Sequence, residues 1–256
     1  MGWKSSASIE AEKWQVEKGK IVWINGYPCS GKTFMGDYLA SIGWHMVDGD
    51  RIGYDKDPAR KEMYINLSLA YRAWTSGETA ADNLWTPYYQ ELINEAKEEA
   101  MKGRNVTISL VSYKRYIRDW VRKVCPDIIF INLDVEIPTL LTRNAARMDR
   151  VWQAMGATRE QMWSAPDDPD MTAAREKYGT EYSLETFERW MKETYFQGFE
   201  KFGEEEKNVF VIDQNDFTDN KTLKELHRVL GIKKEVVVDV KAIEDIQTKR
   251  YADFEF

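Results

Sequence analysis

The octapeptide Gly26-Tyr27-Pro28-Cys29-Ser30-Gly31-Lys32-Thr33 constrains this chain more than any other stretch. The pattern G-x-x-x-x-G-K-[ST] carries meaning where a strand delivers it and a helix follows, because that geometry aims backbone N–H groups at phosphate oxygens. Both conditions are met. Lys20-Ile21-Val22-Trp23-Ile24 is a short apolar run ending at Asn25-Gly26, as a buried strand entering a turn does. Phe34 to Ile42 has helical spacing and stops at Gly43. Residues Gly26 to Thr33 are therefore expected to hold ATP, with Lys32 on the β- and γ-phosphates and the Thr33 hydroxyl on Mg²⁺.

The rest of the chain repeats that rhythm. Strands are expected at Trp44–Val47, Asn105–Val111, Ile128–Leu133 and Val209–Ile212. Helices are expected at Ala59–Trp74, Pro87–Lys102, Lys114–Lys123, Ile137–Arg150 and Thr218–Leu230, the last closed by Gly231. Short apolar strands alternating with helices predict a parallel sheet covered on both faces. Val151–Lys207 interrupts the alternation. It contains a turn at Pro166-Asp167-Asp168-Pro169-Asp170 and then a long helix over Ser183–Phe202, with Ser183 as N-cap. The tail from Glu235 has one β-like run, Val236-Val237-Val238.

Asp48-Gly49-Asp50-Arg51 follows the second strand, at the carboxyl edge where parallel sheets bind ligands. Beside a triphosphate, one carboxylate suits Mg²⁺ (Asp48) and the other suits the proton of an attacking hydroxyl (Asp50). Arg51 suits an anionic or polyhydroxylated acceptor, and a plain solvated Asp-Gly turn is the alternative. Asp48, Asp50 and Arg51 are thus expected at the acceptor.

The order of phosphate loop, helix, short strand and Asp-Gly-Asp resembles the gluconate kinases and adenylylsulfate kinases among small P-loop kinases. The likeness to gluconate kinases extends to Ser76-Gly77-Glu78 with Asp82 and Pro87, and to Ser112-Tyr113-Lys114-Arg115-Tyr116-Ile117-Arg118-Asp119. Over residues 20–150 the resemblance implies phosphoryl-transfer machinery of that kind. It departs where that family's Asp-Asp-Arg-x-Pro-Trp reads Asp82-Asn83-Leu84-Trp85-Thr86-Pro87-Tyr88, and where Ile117 replaces a tyrosine. Val151–Lys207 also exceeds what a compact member carries. The machinery is implied by the resemblance; the acceptor is not.

Arg143, Arg147 and Arg150 recur at four and three residues and so share one helix face. They follow the fourth strand, where such kinases place a lid. Charge spreading over the γ-phosphoryl oxygens calls for mobile arginines, with Arg147 assigned to the transition state and Arg143 to the nucleotide. A solvated basic face paired with Glu136 or Asp149 is the alternative. Lys114, Arg115 and Arg118 follow the third strand and are expected to wall an anionic acceptor, or else to solvate a helix. The chain's 10 Trp and 13 Tyr gather in Tyr64–Tyr89 and Val151–Phe202. Helix packing is the ordinary use of such residues and a ring-bearing substrate the other. His45 and His227 lie too far from other ligand types to suggest a metal.

With 36 Lys and Arg against 43 Asp and Glu, the net charge of −7 does not favour nucleic acid. Two cysteines, Cys29 and Cys125, make no disulfide framework and fit a reducing compartment. No apolar run approaches the ~20 residues that cross a bilayer. Met1-Gly2-Trp3-Lys4-Ser5-Ser6 fits only the loose myristoylation pattern.

The expectation is a three-layer α/β P-loop NTPase of the nucleoside-monophosphate-kinase type with a five-stranded parallel sheet. Residues 1–19 and 233–256 are extensions, 20–150 with 208–232 the core, and 151–207 a helical lid or cap. The chain is read as a cytoplasmic ATP- and Mg²⁺-dependent kinase acting on a small-molecule hydroxyl, compatible with a homodimer, and binding neither nucleic acid nor membrane. A nucleotide or adenylylsulfate acceptor is a second reading, and a slowly hydrolysing regulator a third.

Overall fold

The computed structural model describes residues 18–50, 57–165, 169–215 and 220–251. Arg51, Gly2, Asp216 and the turn at Pro166-Asp167-Asp168 lie outside the described residues. Five strands, β1 (Ile21–Gly26), β2 (His45–Asp48), β3 (Val106–Ser109), β4 (Ile129–Asp134) and β5 (Val209–Asp213), form one parallel sheet in the order β2-β3-β1-β4-β5. The phosphate-loop strand is central, with β3 on one side and β4 on the other. The connections leaving β1 and β3 run in opposite directions, toward β2 and toward β4, which opens a crevice at the carboxyl edge.

Alternation along β1 splits its side chains between two cores. Ile21 and Trp23 join Ile108, Phe130 and the buried faces of α2 (Pro58–Thr75), α3 (Thr86–Met101) and α4 (Arg115–Val124). Val22 and Ile24 join Ile131, Ile212 and residues of α1 (Lys32–Ser41), α9 (Lys221–Leu230) and α10 (Val240–Tyr251). The result is the expected three-layer α/β P-loop architecture.

Between β4 and β5 run α5 (Ile137–Ala154), α6 (Arg159–Trp163), α7 (Pro169–Tyr178) and α8 (Leu184–Met191), with no strand among the described residues. Trp152, Trp163, Phe187 and Trp190 give this insertion its own apolar cluster. α5 continues unbroken from the sheet edge into that cluster.

Three local expectations are corrected. The helix capped by Ser183, whose hydroxyl accepts from the Thr186 N–H, ends at Met191 and passes into a π-helical turn at Lys192–Phe196 instead of reaching Phe202. Gly198 shows why: its φ is 89°, and a Cβ there would sit 2.0 Å from the Trp74 carbonyl oxygen. Helical backbone with a side chain cannot pass that point. The third strand stops at Ser109, because the carbonyls of Leu110 and Val111 accept from Trp23 Nε1 and the Tyr89 hydroxyl, both at 2.8 Å. Val236-Val237-Val238 forms no strand. Val236 and Val238 pack on the second core, and Asp239, whose Oδ1 accepts from the Ala242 N–H, leads into α10.

Candidate active site

The phosphate loop needs glycine at both ends. Gly26 has φ 146°, and a Cβ there would lie 2.6 Å from Ser30 Oγ. Gly31 has φ 95°, and its Cβ would lie 2.3 Å from Gln214 Nε2. Cys29 takes a left-handed conformation at φ 62°, and its thiol donates to Asn144 Oδ1 at 3.3 Å. Gly31 caps α1, yet no side chain caps that helix and no acidic residue stands in its first turn. Its leading N–H groups and positive dipole end are therefore not taken up by a side chain and suit an anion. Ser30 Oγ and both amide atoms of the fully buried Gln214 have no hydrogen-bond partner among the described residues either. Buried polar atoms are ordinarily paired, so their gathering beside the loop suits a polar ligand.

A cavity of about 810 Å³ opens over the loop. The loop contributes Pro28, Cys29, Gly31, Lys32 and Thr33. α5 contributes Arg143, Arg147 and Arg150 together, the i, i+4, i+7 face seen in the sequence. Asp50 enters from the end of β2 and Gln214 from the end of β5. Arg143 Nη2 donates to the Gln214 carbonyl at 3.0 Å, which ties α5 to the β5 exit.

Electrostatics couples these groups. Lys32 Nζ donates to the Tyr27 carbonyl at 2.8 Å and the Gly26 carbonyl at 3.1 Å. Burial lowers its pKa to about 8, with Asp50, Cys29 and Asp48 opposing and Arg147 adding to the effect. Asp50 is open to the cavity but enclosed by protein on most sides. That enclosure, and next the Asp48 carboxylate, raise its pKa, against Lys32 and Arg147. Lys32, Asp50 and Arg147 thus sit within electrostatic reach of one another. Asp48 is buried, and its Oδ1 accepts the Asp50 N–H at 3.0 Å, so it shapes the turn that presents Asp50.

The basic run after β3 does not wall the cavity. Arg118 is fully buried; its Nε and Nη2 meet Glu206 at 2.9 and 2.8 Å. The rest of its guanidinium donates to the carbonyls of Ser112, Glu200 and Lys201 and lies 4.2 Å above the Phe202 ring. Lys114 Nζ pairs with Glu200 at 3.7 Å, and Arg115 pairs with Glu205 and Asp119. These three basic residues are paired with acidic partners, Arg118 deep in the fold and Arg115 at its surface, because residues 200–206 return across α4. His45 pairs with Glu95 at 3.2 Å and His227 bonds Tyr38 and the Lys234 carbonyl, both structural. Among the described residues no cluster of three His, Cys, Asp or Glu side chains suits a metal ion.

Several lining residues escaped sequence reasoning. Gln214 had a signal, its place directly after an apolar strand at the ligand edge. Tyr71 and Tyr195 lie in the two aromatic-rich stretches and Tyr113 in the segment after β3, but nothing singled them out there, and Arg72, Thr75 and Thr194 had no signal, since only the fold brings these residues together.

No helix among the described residues is long and apolar enough to cross a membrane. No protein-family model and no curated protein matches the chain. Solved structures similar to it include a Janibacter sugar kinase (16% identity, 84% of this chain and 96% of that one, TM-score 0.49). A Sinorhizobium meliloti gluconokinase is also similar (16% identity, 91% and 98%, TM-score 0.44). So is a Mycobacterium tuberculosis APS kinase in complex with AMPPNP and APS (16% identity, 84% and 98%, TM-score 0.44).

Proposed function

We propose that the protein transfers the γ-phosphoryl group of ATP to a hydroxyl of a small molecule. The observation that carries this reading is the cavity itself, which unites an uncapped phosphate loop, three arginines of one helix face and the Asp50 carboxylate. A triphosphate fits the loop: the two glycines leave space a Cβ would fill, and partnerless Ser30 Oγ and the Gln214 amide flank it. Lys32 and the first N–H groups of α1 hold the phosphates. Arg147, beside both Lys32 and Asp50, faces the charge that develops on the transferred group.

Mg²⁺ also fits. It binds through one or two carboxylates together with phosphate oxygens, and the Asp48 carboxylate helps to raise the proton affinity of Asp50, so the turn welcomes a cation. Thr33 and Asp48 would hold it; when bound it neutralises charge on the phosphate oxygens. Asp50 accepts the proton of the acceptor hydroxyl. That oxygen bonds to the γ-phosphorus as the bond to the bridging oxygen breaks, and ADP leaves with those electrons. A carboxylate whose proton affinity is raised is a better base for this step than a solvated one.

The experiment is a radiolabelled ATP screen over small alcohols, sugar acids and nucleosides, with Lys32→Ala as its control. Acceptor-dependent label transfer that Lys32→Ala abolishes supports the proposal. Wild-type ATP affinity and transfer in Lys32→Ala refute it.

A further inference from the structure

Resting on that kinase reading, we infer that the acceptor is a flat-ringed compound bearing a hydroxyl and at most one negative charge, not a polyhydroxylated acid. The cavity divides according to the sheet order. Elements around β1, β4 and β5 supply the phosphate loop, the α5 arginines and Gln214. The β2–β3 side supplies Asp50, Val111 and Tyr113, and over them lie Tyr71, Arg72 and Thr75 of α2 and Tyr195 of the π turn. Asp50 acts electrostatically on both Tyr71 and Tyr113, so these rings stand around the carboxylate that would receive the acceptor's proton.

What this half offers a ligand is aromatic surface rather than hydrogen bonds. The Tyr71 and Tyr113 rings lie 5.4 Å apart at 59°, and the Tyr113 hydroxyl donates to the Tyr195 carbonyl at 3.2 Å. Behind them the Tyr89 hydroxyl donates to the Val111 carbonyl and that of Tyr88 to the Gly49 carbonyl. The Thr75 hydroxyl donates to the carbonyls of Tyr71 and Arg72 at 3.0 and 3.1 Å. These four hydroxyls are taken up by backbone carbonyls and the Tyr71 hydroxyl is buried, which leaves ring and methyl surface as what this lining offers. The cations that a sugar acid would need, Lys114, Arg115 and Arg118, are bound to Glu200, Glu205 and Glu206. Arg72 is the one basic residue on this half among the described cavity residues. A sugar acid would surrender the hydration of a carboxylate and several hydroxyls here for few partners. A ring would give up little and gain stacking.

The test is calorimetric titration of the full chain, saturated with AMPPNP and Mg²⁺ to block the nucleotide half, with adenosine, 4-hydroxybenzyl alcohol and gluconate. One of the ring compounds should bind at least tenfold more tightly than gluconate; which one does so tells a nucleoside from an aromatic alcohol. Stacking on an aromatic side chain is worth about tenfold or more in affinity. Tyr195→Ala and Tyr71→Ala should therefore weaken the ring compound by that order, and Tyr195→Phe should retain it. Circular dichroism and AMPPNP affinity report whether each variant is folded, and Tyr195 is the variant to weigh if Tyr71→Ala is not. Gluconate binding as tightly as either ring compound, no binding by both ring compounds, or ring affinity indifferent to Tyr195→Ala would overturn the inference. Loss of AMPPNP binding by the wild type would instead overturn the kinase reading, so the two failures are distinguishable.

Discussion

Arg118 gives the sharpest division between what its sequence position suggests and what the fold makes of it. As an acceptor-binding residue it would be dispensable for folding. In the structure it and Glu206 are both no more than 1% exposed and joined by two hydrogen bonds, with three backbone carbonyls and the Phe202 ring completing the guanidinium's surroundings. Removing one partner of a buried ion pair costs about 3–5 kcal/mol where the other charge is left without compensation. Arg122 Nη1 also meets Glu206 at 2.9 Å and keeps part of that compensation, so the cost belongs at the lower end. At about 2–4 °C per kcal/mol for a chain of this size, about 3 kcal/mol means that Arg118→Met should lower the melting temperature by about 6–12 °C. The double variant Arg118→Met/Glu206→Met should recover part of that loss, because apolar replacement of a whole pair is often nearly neutral while Arg122, which also loses Glu206, keeps Asp119 at 3.3 Å. Thermal unfolding followed by circular dichroism measures both. Burial pushes the Glu206 carboxyl up, but the hydrogen bonds from Arg118 and the Gly203 N–H pull it below its usual range. Its share of stability is thus present above the unfolded carboxylate value of about 4.3 and is lost as pH falls through the lower folded one. Wild-type stability in Arg118→Met, combined with a raised acceptor KM, would refute the clasp and restore the binding role.

Asp50→Asn should slow turnover by about 10²–10⁴-fold with ATP affinity kept, whereas Asp48→Asn should regain part of its activity with added Mg²⁺; steady-state rates titrated with Mg²⁺ separate them, and equal rescue would mean their roles are reversed. The profile of kcat/KM against pH should be bell-shaped. Lys32 must be protonated, so activity is full below its value of about 8 and falls above it, and Asp50 must be ionised, so activity falls on the acid side at a pH above the ordinary aspartate value; Lys32→Arg should move only the alkaline limb upward. Hydrogen exchange with AMPPNP and acceptor bound should slow most at 143–150 and 192–199, where α5 and the π turn meet the cavity, and least at 159–190, which contributes no described residue to its lining. Uniform slowing over 151–207 would show the insertion moving as one body instead.

Local chemistry accounts for what the sequence made legible. The phosphate loop could be read because glycine, lysine and hydroxyl lie within eight consecutive residues, and its strand and helix are contiguous with it. The Ser183 cap and the Gly231 stop, with φ 68°, follow equally local rules. The arginine face of α5 could be read because helical spacing fixes which residues share a side, and a helix leaving β4 starts at the ligand edge. The end of α8 could not be read, because it depends on how near Gly198 comes to Trp74, a residue more than a hundred positions earlier. Nor could the aromatic half of the cavity, which draws single residues from α2, the β3 exit and the π turn.

Two basic runs of similar appearance had opposite fates, and the reason lies outside both of them. Arg143, Arg147 and Arg150 line the cavity; Lys114, Arg115 and Arg118 do not. Each set follows a strand, and each is carried on a helix. What separates them is a stretch some eighty-five residues downstream of the second set, Glu200 to Glu206, which crosses α4 and meets its charges one for one. A run of cations reports only that compensating charge is needed; an anionic ligand and a distant acidic segment satisfy the need equally well. Once that segment is taken into account, the acceptor half loses its cations, and its character passes to the tyrosines beside Asp50. The same crossing draws Phe199 against Tyr113 and leaves Tyr195 at the cavity wall, so the segment that neutralises the basic run also builds the aromatic surface standing in its place.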